Sequence, residues 1–230
     1  MPRLTLDRVI AVLGLVLALP GLAVLLTVSM IAGATMVALG LLLALTWGVM
    51  WYLACLPPFS VVAHDIELSF WGGKQHCKLE KRLQLRANHR HQRVITFRNN
   101  SSDGDFTKIF WNGERIKAGW IKREAGDTRI SIPLENVPRL FETFAGTLTF
   151  HARDAFNGNP EFLIYQPDFK TKAVHIRVYL PVRCTQAKFY VLAAAEAEWP
   201  DPQISADGML IEYKLKHPKI GHEYKLVWWW

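Results

Sequence analysis

The chain has 230 residues, a formal net charge of +7 and 50% hydrophobic residues. Its charges are unevenly distributed: no Asp, Glu, Lys or Arg occurs between Arg8 and Asp65, whereas 25 Lys and Arg face 19 Asp and Glu between Val61 and Trp230. So long an apolar run excludes an entirely soluble protein, and the moderately basic remainder is long enough for one domain with its own core.

The N-terminal apolar run predicts two membrane spans joined by a tight turn. A bilayer core takes about 20 helical residues, so a single helix over this whole run would be more than twice too long. We place the spans at about Val9 to Ser29 and Thr35 to Leu56, with residues 30–34 as the turn. Pro57 and Pro58 end the second span. The expected domains are therefore a transmembrane hairpin over residues 1–58 and a β-rich domain over residues 59–230.

The distribution of basic residues predicts the orientation of this hairpin. Arg3 and Arg8 precede the first span, the turn is uncharged, and many Lys and Arg follow the second span. The positive-inside rule then places both termini and the β-rich domain in the cytoplasm of a bacterium, at the inner membrane. Three widely spaced cysteines with no C-x-x-C pair agree with free thiols in a reducing compartment.

Period-two alternation dominates the rest of the chain. In Val174 to Leu180 the apolar residues would face a core, and His175, Arg177 and Tyr179 would face the other way. Turn dipeptides such as Asn112-Gly113 punctuate the strands. Ten strands are predicted: Ile66 to Phe70, Arg93 to Arg98, Lys108 to Trp111, Arg129 to Ile132, Thr147 to Arg153, Glu161 to Tyr165, Val174 to Leu180, Lys188 to Leu192, Met209 to Lys216 and Glu223 to Trp230.

This pattern predicts a membrane-anchored α+β protein with a mainly antiparallel β-sandwich or barrel. Helical patterns in the second half are scarce. The two candidates are Leu79 to Asn88 and Val137 to Phe144. The final Trp228-Trp229-Trp230 predicts at least one exposed tryptophan, in a subunit interface or at the headgroup level, unless the strand simply ends in the core.

The sequence carries no recognisable catalytic motif. It has no G-x-S-x-G turn, no glycine-rich phosphate loop and no H-E-x-x-H helix, so we expect neither an enzyme nor a cofactor. His89-Arg90-His91 has a metal-like spacing, but its cationic neighbours oppose a metal ion. Asp103 and Asp105 suggest a solvated turn, because the rest of a calcium ligand set is missing.

The most distinctive feature of the β-rich domain is the basic segment from Lys74 to Arg98, in which only Glu80 opposes eight Lys and Arg. Crowded like charges favour an anionic ligand. Three kinds of anion fit the basic segment. They are phospholipid headgroups, an acidic protein partner, and a phosphate-bearing ligand held by Arg with nearby Trp71, Phe97 or Trp111. A second surface is the outward face of the Val174 strand, with His151 and Arg153 expected beside it. The candidate ligand-binding residues are Lys81, Arg82, Arg86, Arg90, Arg93, His175, Arg177 and Tyr179.

The layout of an N-terminal hairpin followed by a cytoplasmic β-rich domain resembles the two-transmembrane effectors of bacterial cyclic-oligonucleotide antiphage signalling, and the membrane effectors of type III CRISPR systems. The resemblance is one of architecture. It implies that the β-rich domain binds a cyclic nucleotide, that binding drives homo-oligomerisation, and that the hairpins then disrupt the inner membrane. The alternative is a membrane-anchored structural or protein-interaction module, such as an envelope component, an adaptor or a prophage exclusion protein.

Overall fold

The computed structural model describes Val16, Pro20 and residues 30–72, 76–89, 92–99, 106–124, 127–156, 158–192 and 199–230. The chain divides into two compact units, one ending at Leu56 and the other running from Pro57 to Trp230. Each unit is described by itself below.

The first unit contains the helix α1, Met30–Cys55, whose 26 residues include no charged side chain. At about 1.5 Å per residue the helix is about 39 Å long. Its segment Gly33–Cys55, with a mean hydropathy of 1.9, is long and apolar enough to cross a membrane by length and composition. This agrees with the second predicted span.

The predicted turn at residues 30–34 is wrong, because these residues belong to α1. Gly33 favours a turn, yet one glycine costs a helix only about 1 kcal/mol, which a long apolar helix tolerates. The first predicted span lies outside the described residues, apart from Val16 and Pro20, both of which are helical.

The second unit is almost entirely strand and contains one large sheet of nine strands. These are β1 (Phe59–Trp71), β2 (His76–Ala87), β4 (Phe106–Trp111), β5 (Glu114–Arg115), β8 (Thr143–Arg153), β10 (Lys170–Thr171), β11 (Ala173–Tyr179), β13 (Gln203–Ile204) and β14 (Leu210–Lys216). Their order is β13-β14-β11-β1-β2-β8-β4-β5, and β10 also pairs with β1. The pairings β1–β11 and β1–β10 are parallel, and the others are antiparallel.

Two three-stranded antiparallel sheets complete the domain. Their strands are β3 (Val94–Asn99), β6 (Ile121–Glu124), β7 (Asp127–Pro133), β9 (Glu161–Tyr165), β12 (Gln186–Val191) and β15 (Tyr224–Trp229), and a 3₁₀ turn spans Ala118–Trp120. The orders are β3-β7-β6 and β12-β15-β9, and both sheets share one apolar core with the large sheet. Aromatic contacts join each small sheet to the large one. The ring centroids of Phe97 in β3 and Trp111 in β4 are 5.9 Å apart, and those of Phe189 in β12 and Tyr213 in β14 are 3.7 Å apart.

All ten predicted strands are present, but both predicted helices are wrong. Leu79 to Asn88 lies almost wholly in β2, where Leu79, Leu83, Leu85 and Ala87 are buried at strand spacing. Leu79 and Leu83 also stand four residues apart, which imitates one face of a helix. In the other segment Phe141 has a φ of +64°, a backbone conformation that an α-helix cannot contain, and β8 begins at Thr143.

Two of the three C-terminal tryptophans pack in or against the core. Trp228 is fully buried, and Trp230 is partly buried and packs against the core. The indole N–H of Trp230 donates to the carbonyl oxygen of Gly158 at 3.1 Å. Trp229 is partly buried and is not one of the residues packed against the core. The alternative of a strand that ends in the core therefore holds for Trp228 and Trp230, and none of the three side chains is largely exposed.

Candidate ligand-binding surface

The outer face of the large sheet, which points away from the core, carries the polar side chains of its central strands. The register fixes which side chains share it: Asp65 of β1 pairs with Arg82 of β2 and His175 of β11, while the next β1 residue, the buried Ile66, points into the core. Side chains at alternate positions of a strand share a face. This face divides into two regions with different chemistry.

The first region is an ion-pair network on β14, β11, β1 and β2. The Glu67 carboxylate lies 3.4 Å from the Arg177 guanidinium and 3.7 Å from that of Arg82. The ring of His175 lies between two carboxylates, at 3.7 Å from Asp65 and 3.3 Å from Glu212. Arg82, Arg177 and the His175 ring each lie within 4 Å of a carboxylate of the same sheet.

Glu80 links this network to its neighbour Lys78. Its carboxylate pairs with Lys78 and accepts a hydrogen bond from Arg82 Nε at 2.5 Å. Burial would raise the pKa of Glu80, but the hydrogen bonds from Lys78 and Arg82 outweigh burial and hold that pKa below its usual value. Glu80 is therefore a carboxylate at neutral pH.

The second region is the basic aromatic patch, defined as Trp71, His76, Lys108, Phe110, His151 and Arg153. It lies on the outer face of β1, β2, β8 and β4, where His76 pairs with both Trp71 and Arg153, and His151 pairs with Lys108. Since the register places all six on one side of the sheet, they form one continuous surface.

The aromatic rings of the patch are already in contact. Trp71 stacks on His76, with 5.7 Å between centroids and 24° between planes, and meets His151 edge-on at 5.8 Å. Phe110 also meets His151 edge-on, with 5.5 Å between the ring centroids. Trp71 is nevertheless 44% exposed, so a large part of its ring is open to a ligand.

Two cations of the patch have no acidic partner among the residues that the structure describes. Lys108 and Arg153 are exposed, and neither makes an ion pair with any described residue. Desolvation first, and then the nearby Lys78 and Lys108, lower the pKa of His151. The local potential is therefore positive, which is the condition that favours an anion.

The candidate residues of the basic segment are scattered by the structure. Arg82 belongs to the ion-pair network, whereas its neighbour Lys81 is partly buried on the core side, with its ammonium 5.5 Å from the centre of the Phe150 ring. The guanidinium of Arg86 lies over Phe141 at 4.7 Å, and Arg93 is exposed. Arg90 lies outside the described residues.

The second predicted surface is also divided. His175 and Arg177 point to the outer face as expected, but both are engaged with carboxylates, and Tyr179 is 38% exposed at the end of β11. His151 and Arg153 do not lie beside them, because β1 and β2 separate β8 from β11. Of the three aromatics considered as stacking partners, only Trp71 lies on the outer face, since Phe97 and Trp111 pack in the core.

A small polar cluster lies on the core side of the same sheet. His64 is 7% exposed, and its ring meets that of Tyr165 edge-on at 5.4 Å. Desolvation, with a smaller contribution from Lys81, lowers the pKa of His64 to about 3. The cavity beside it measures about 20 Å³, enough for one water molecule and too small for an organic ligand.

Sequence reasoning missed the patch as a unit, although it named several members. His76, Lys108, His151 and Arg153 come from three strands that are distant in sequence, and only their register brings them together. Among the described residues no group of three His, Cys, Asp or Glu could hold a metal ion, and Cys55, Cys77 and Cys184 are free thiols. The three free thiols agree with the prediction of free cysteines.

The solved structures that superpose on this chain do so with low similarity. No family model matches the chain, and no curated protein matches it. The M1 zinc metallopeptidase of Deinococcus radiodurans superposes with a TM-score of 0.37 and 12% identity, over 74% of this chain and 42% of its own. Native yeast LTA4 hydrolase superposes with a TM-score of 0.43 and 13% identity, over 74% of this chain and 29% of its own. This chain therefore spans less than half of either enzyme, and similarities this low carry no functional argument.

Proposed function

We propose that this protein is a non-enzymatic membrane effector or sensor whose β-rich domain binds a nucleotide, such as a cyclic nucleotide, on the basic aromatic patch. The observation that carries the proposal is the pairing of open aromatic rings with two exposed cations that have no acid partner among the described residues. The neighbouring ion-pair network lacks this feature, because its own carboxylates already neutralise its arginine side chains.

The chemistry of the patch suits both parts of a nucleotide. Lys108 and Arg153 offer charge-assisted hydrogen bonds to phosphate oxygens, and an arginine can make two in parallel. Trp71 and His76 offer a flat surface for a base, and stacking on an aromatic side chain is worth about 1–3 kcal/mol per base. Inorganic phosphate or a lipid headgroup would use only the cations.

The membrane part of the proposal rests on α1. We propose that α1 is the second helix of a two-helix hairpin in the bacterial inner membrane, with both termini and the β-rich domain in the cytoplasm. The free thiols of Cys77 and Cys184 agree with a reducing compartment. The three described sheets would then form a sandwich held next to membrane lipids, and nucleotide binding would favour a homo-oligomer in which hairpins associate. Such a shift requires a ligand that binds the oligomer more tightly than the single chain.

Full-length protein in detergent provides the direct test. Equilibrium dialysis with cyclic di- and oligonucleotides, inorganic phosphate and glycerol 3-phosphate, a soluble analogue of a lipid headgroup, separates the ligand classes. Size-exclusion chromatography with light scattering, with and without nucleotide, then measures oligomer formation. We expect saturable nucleotide binding and a larger oligomer. Equal binding of glycerol 3-phosphate and nucleotide, or no saturable nucleotide binding, would contradict the proposal and favour the alternative of a membrane-anchored interaction module.

The orientation has a separate test. Fluorescent-protein fusions that mature only in the cytoplasm, placed at either terminus, should both fluoresce if the anchor is a hairpin. Fluorescence from the C-terminal fusion alone would indicate a single span.

A further inference from the structure

A cavity lined by described residues lies on the core side of the large sheet. It is a cleft of about 570 Å³ between the end of β4 and β8 and the strand β7, which is within the range of small-molecule sites. The segments 114–120 and 134–138 border it. Because Trp111 and Phe110 are neighbours on opposite faces of β4, this cleft is a different site from the basic aromatic patch.

Aromatic rings form much of the cleft wall. Trp111 can take its position only because residue 146 is glycine: a Cβ there would lie 2.0 Å from the indole Cη2 atom. Trp120 comes from the 3₁₀ turn and Phe144 from β8, where it packs edge-on against Phe59. Three aromatic side chains therefore line one space.

The charged groups of the cleft have the opposite balance from the domain as a whole. Glu114, Glu135 and Glu142 line it together with a single cation, Arg115. All three glutamates are exposed at its edge. An excess of carboxylates beside aromatic faces attracts cations and repels phosphates.

A cation already uses one of these rings. The ammonium of Lys117 lies 5.5 Å from the centre of the Trp120 ring. Apolar side chains, among them Ile116, Ile132 and Leu134, complete the lining. The site therefore offers an apolar surface for a ligand body and a region of negative potential for a charged head.

We propose that this cleft binds an organic cation, meaning an amine or quaternary ammonium compound with an apolar body. Its cationic head contacts the aromatic rings and the carboxylates of Glu135 and Glu142, while its body covers the apolar lining. The site is independent of the nucleotide site, and each can be present without the other.

The test uses four probes that share a benzyl group or phenyl ring and differ in charge: benzyltrimethylammonium, benzylamine, benzyl alcohol and benzoate. Titration of full-length protein in detergent, followed by ligand-observed NMR, should give affinities for the two cations about tenfold higher than for the alcohol. Benzoate should bind most weakly. Equal binding of the alcohol and the cations would overturn the proposal, because the cleft would then be merely apolar.

Matched variants assign the effect to the cleft. Glu135→Gln/Glu142→Gln should lower the affinity for benzyltrimethylammonium about tenfold and leave benzyl alcohol unchanged. Glu142 accepts a hydrogen bond from the backbone N–H of Arg139, and the amide oxygen introduced by Glu142→Gln can accept the same bond. Asp201→Asn/Glu223→Gln removes the same charge outside the cleft and should change nothing. An unchanged affinity in the cleft variant, or an equal loss in both variants, would contradict the assignment. Nucleotide binding at the patch should be the same in all of them.

Discussion

Both regions of the outer face carry arginine and histidine side chains, yet they differ in what they can bind. In the ion-pair network, Arg82, Arg177 and His175 each face a carboxylate within 4 Å. In the basic aromatic patch, Lys108 and Arg153 make no ion pair with a described residue, and their cross-strand partners are His151 and His76. The density of basic residues along the sequence is therefore a poor guide to an anion site. Whether a basic residue is available to an anion depends on whether a neighbouring strand places an acid beside it.

The largest expected effect comes from reversing the patch charges. Lys108→Glu/Arg153→Glu should lower nucleotide affinity at least about a thousandfold, since it removes two charge-assisted hydrogen bonds and adds repulsion. Equilibrium dialysis measures the loss. Lys214→Glu/Lys216→Glu makes the same change in charge at exposed positions of β14 and should have a small effect. Similar losses in the two variants would mean that only overall charge matters.

Histidines on the two sides of the sheet should respond to acid in opposite ways. His64 has a pKa of about 3 in the folded chain and 6.5 in the unfolded chain, so the unfolded chain binds more protons between these values. Stability is therefore lost as the pH falls from 6.5 towards 3, by about 5 kcal/mol at most. On the outer face, where the pKa of His151 is also lowered, protonation of His151 should instead strengthen binding of an anion.

Thermal unfolding followed by tryptophan fluorescence between pH 7 and pH 4 checks the effect of His64. His64→Leu should flatten this pH dependence. His217→Asn is the matched control, because His217 is exposed and its φ of +50° suits asparagine. A pH dependence that persists in His64→Leu and vanishes in His217→Asn would refute the assignment.

Removing one acid from the ion-pair network should leave arginine side chains without a carboxylate partner, as in the basic aromatic patch. Glu67→Gln takes a carboxylate from both Arg82 and Arg177, and the Nε of Arg177 is buried without a hydrogen-bond partner. We expect a loss of about 1–2 kcal/mol in stability and a weak gain in phosphate binding. Urea-induced changes in fluorescence and phosphate dialysis measure the two effects. A stable variant that binds no additional phosphate would show that the network does not suppress anion binding.

The strands were predictable from sequence because alternation of apolar and polar residues is local. The basic aromatic patch was harder to predict from sequence, since its composition depends on which strands are neighbours in the sheet. His151 lies close to His76 and Lys108 rather than beside His175, and nothing local to β8 specifies that order. Lys81 and Arg82 point to opposite sides of the sheet because they are neighbours in the strand β2. The predicted helix would not have separated the two side chains in this way.

The smallest expected effect decides which anion the patch selects. Trp71→Leu removes a ring that stacks on His76 and is 44% exposed at the edge of the patch, while keeping an apolar residue at the end of β1. If the ligand has a base, its affinity should fall about fivefold to tenfold, which corresponds to the lower end of base stacking. The affinity for inorganic phosphate should stay constant, because phosphate uses only Lys108 and Arg153. Dialysis of both ligands against Trp71→Leu and against Tyr190→Leu, an exposed aromatic on β12, makes the comparison. A nucleotide whose affinity is unchanged in Trp71→Leu would reduce the patch to a phosphate site, for which a lipid headgroup is as good a ligand as a nucleotide.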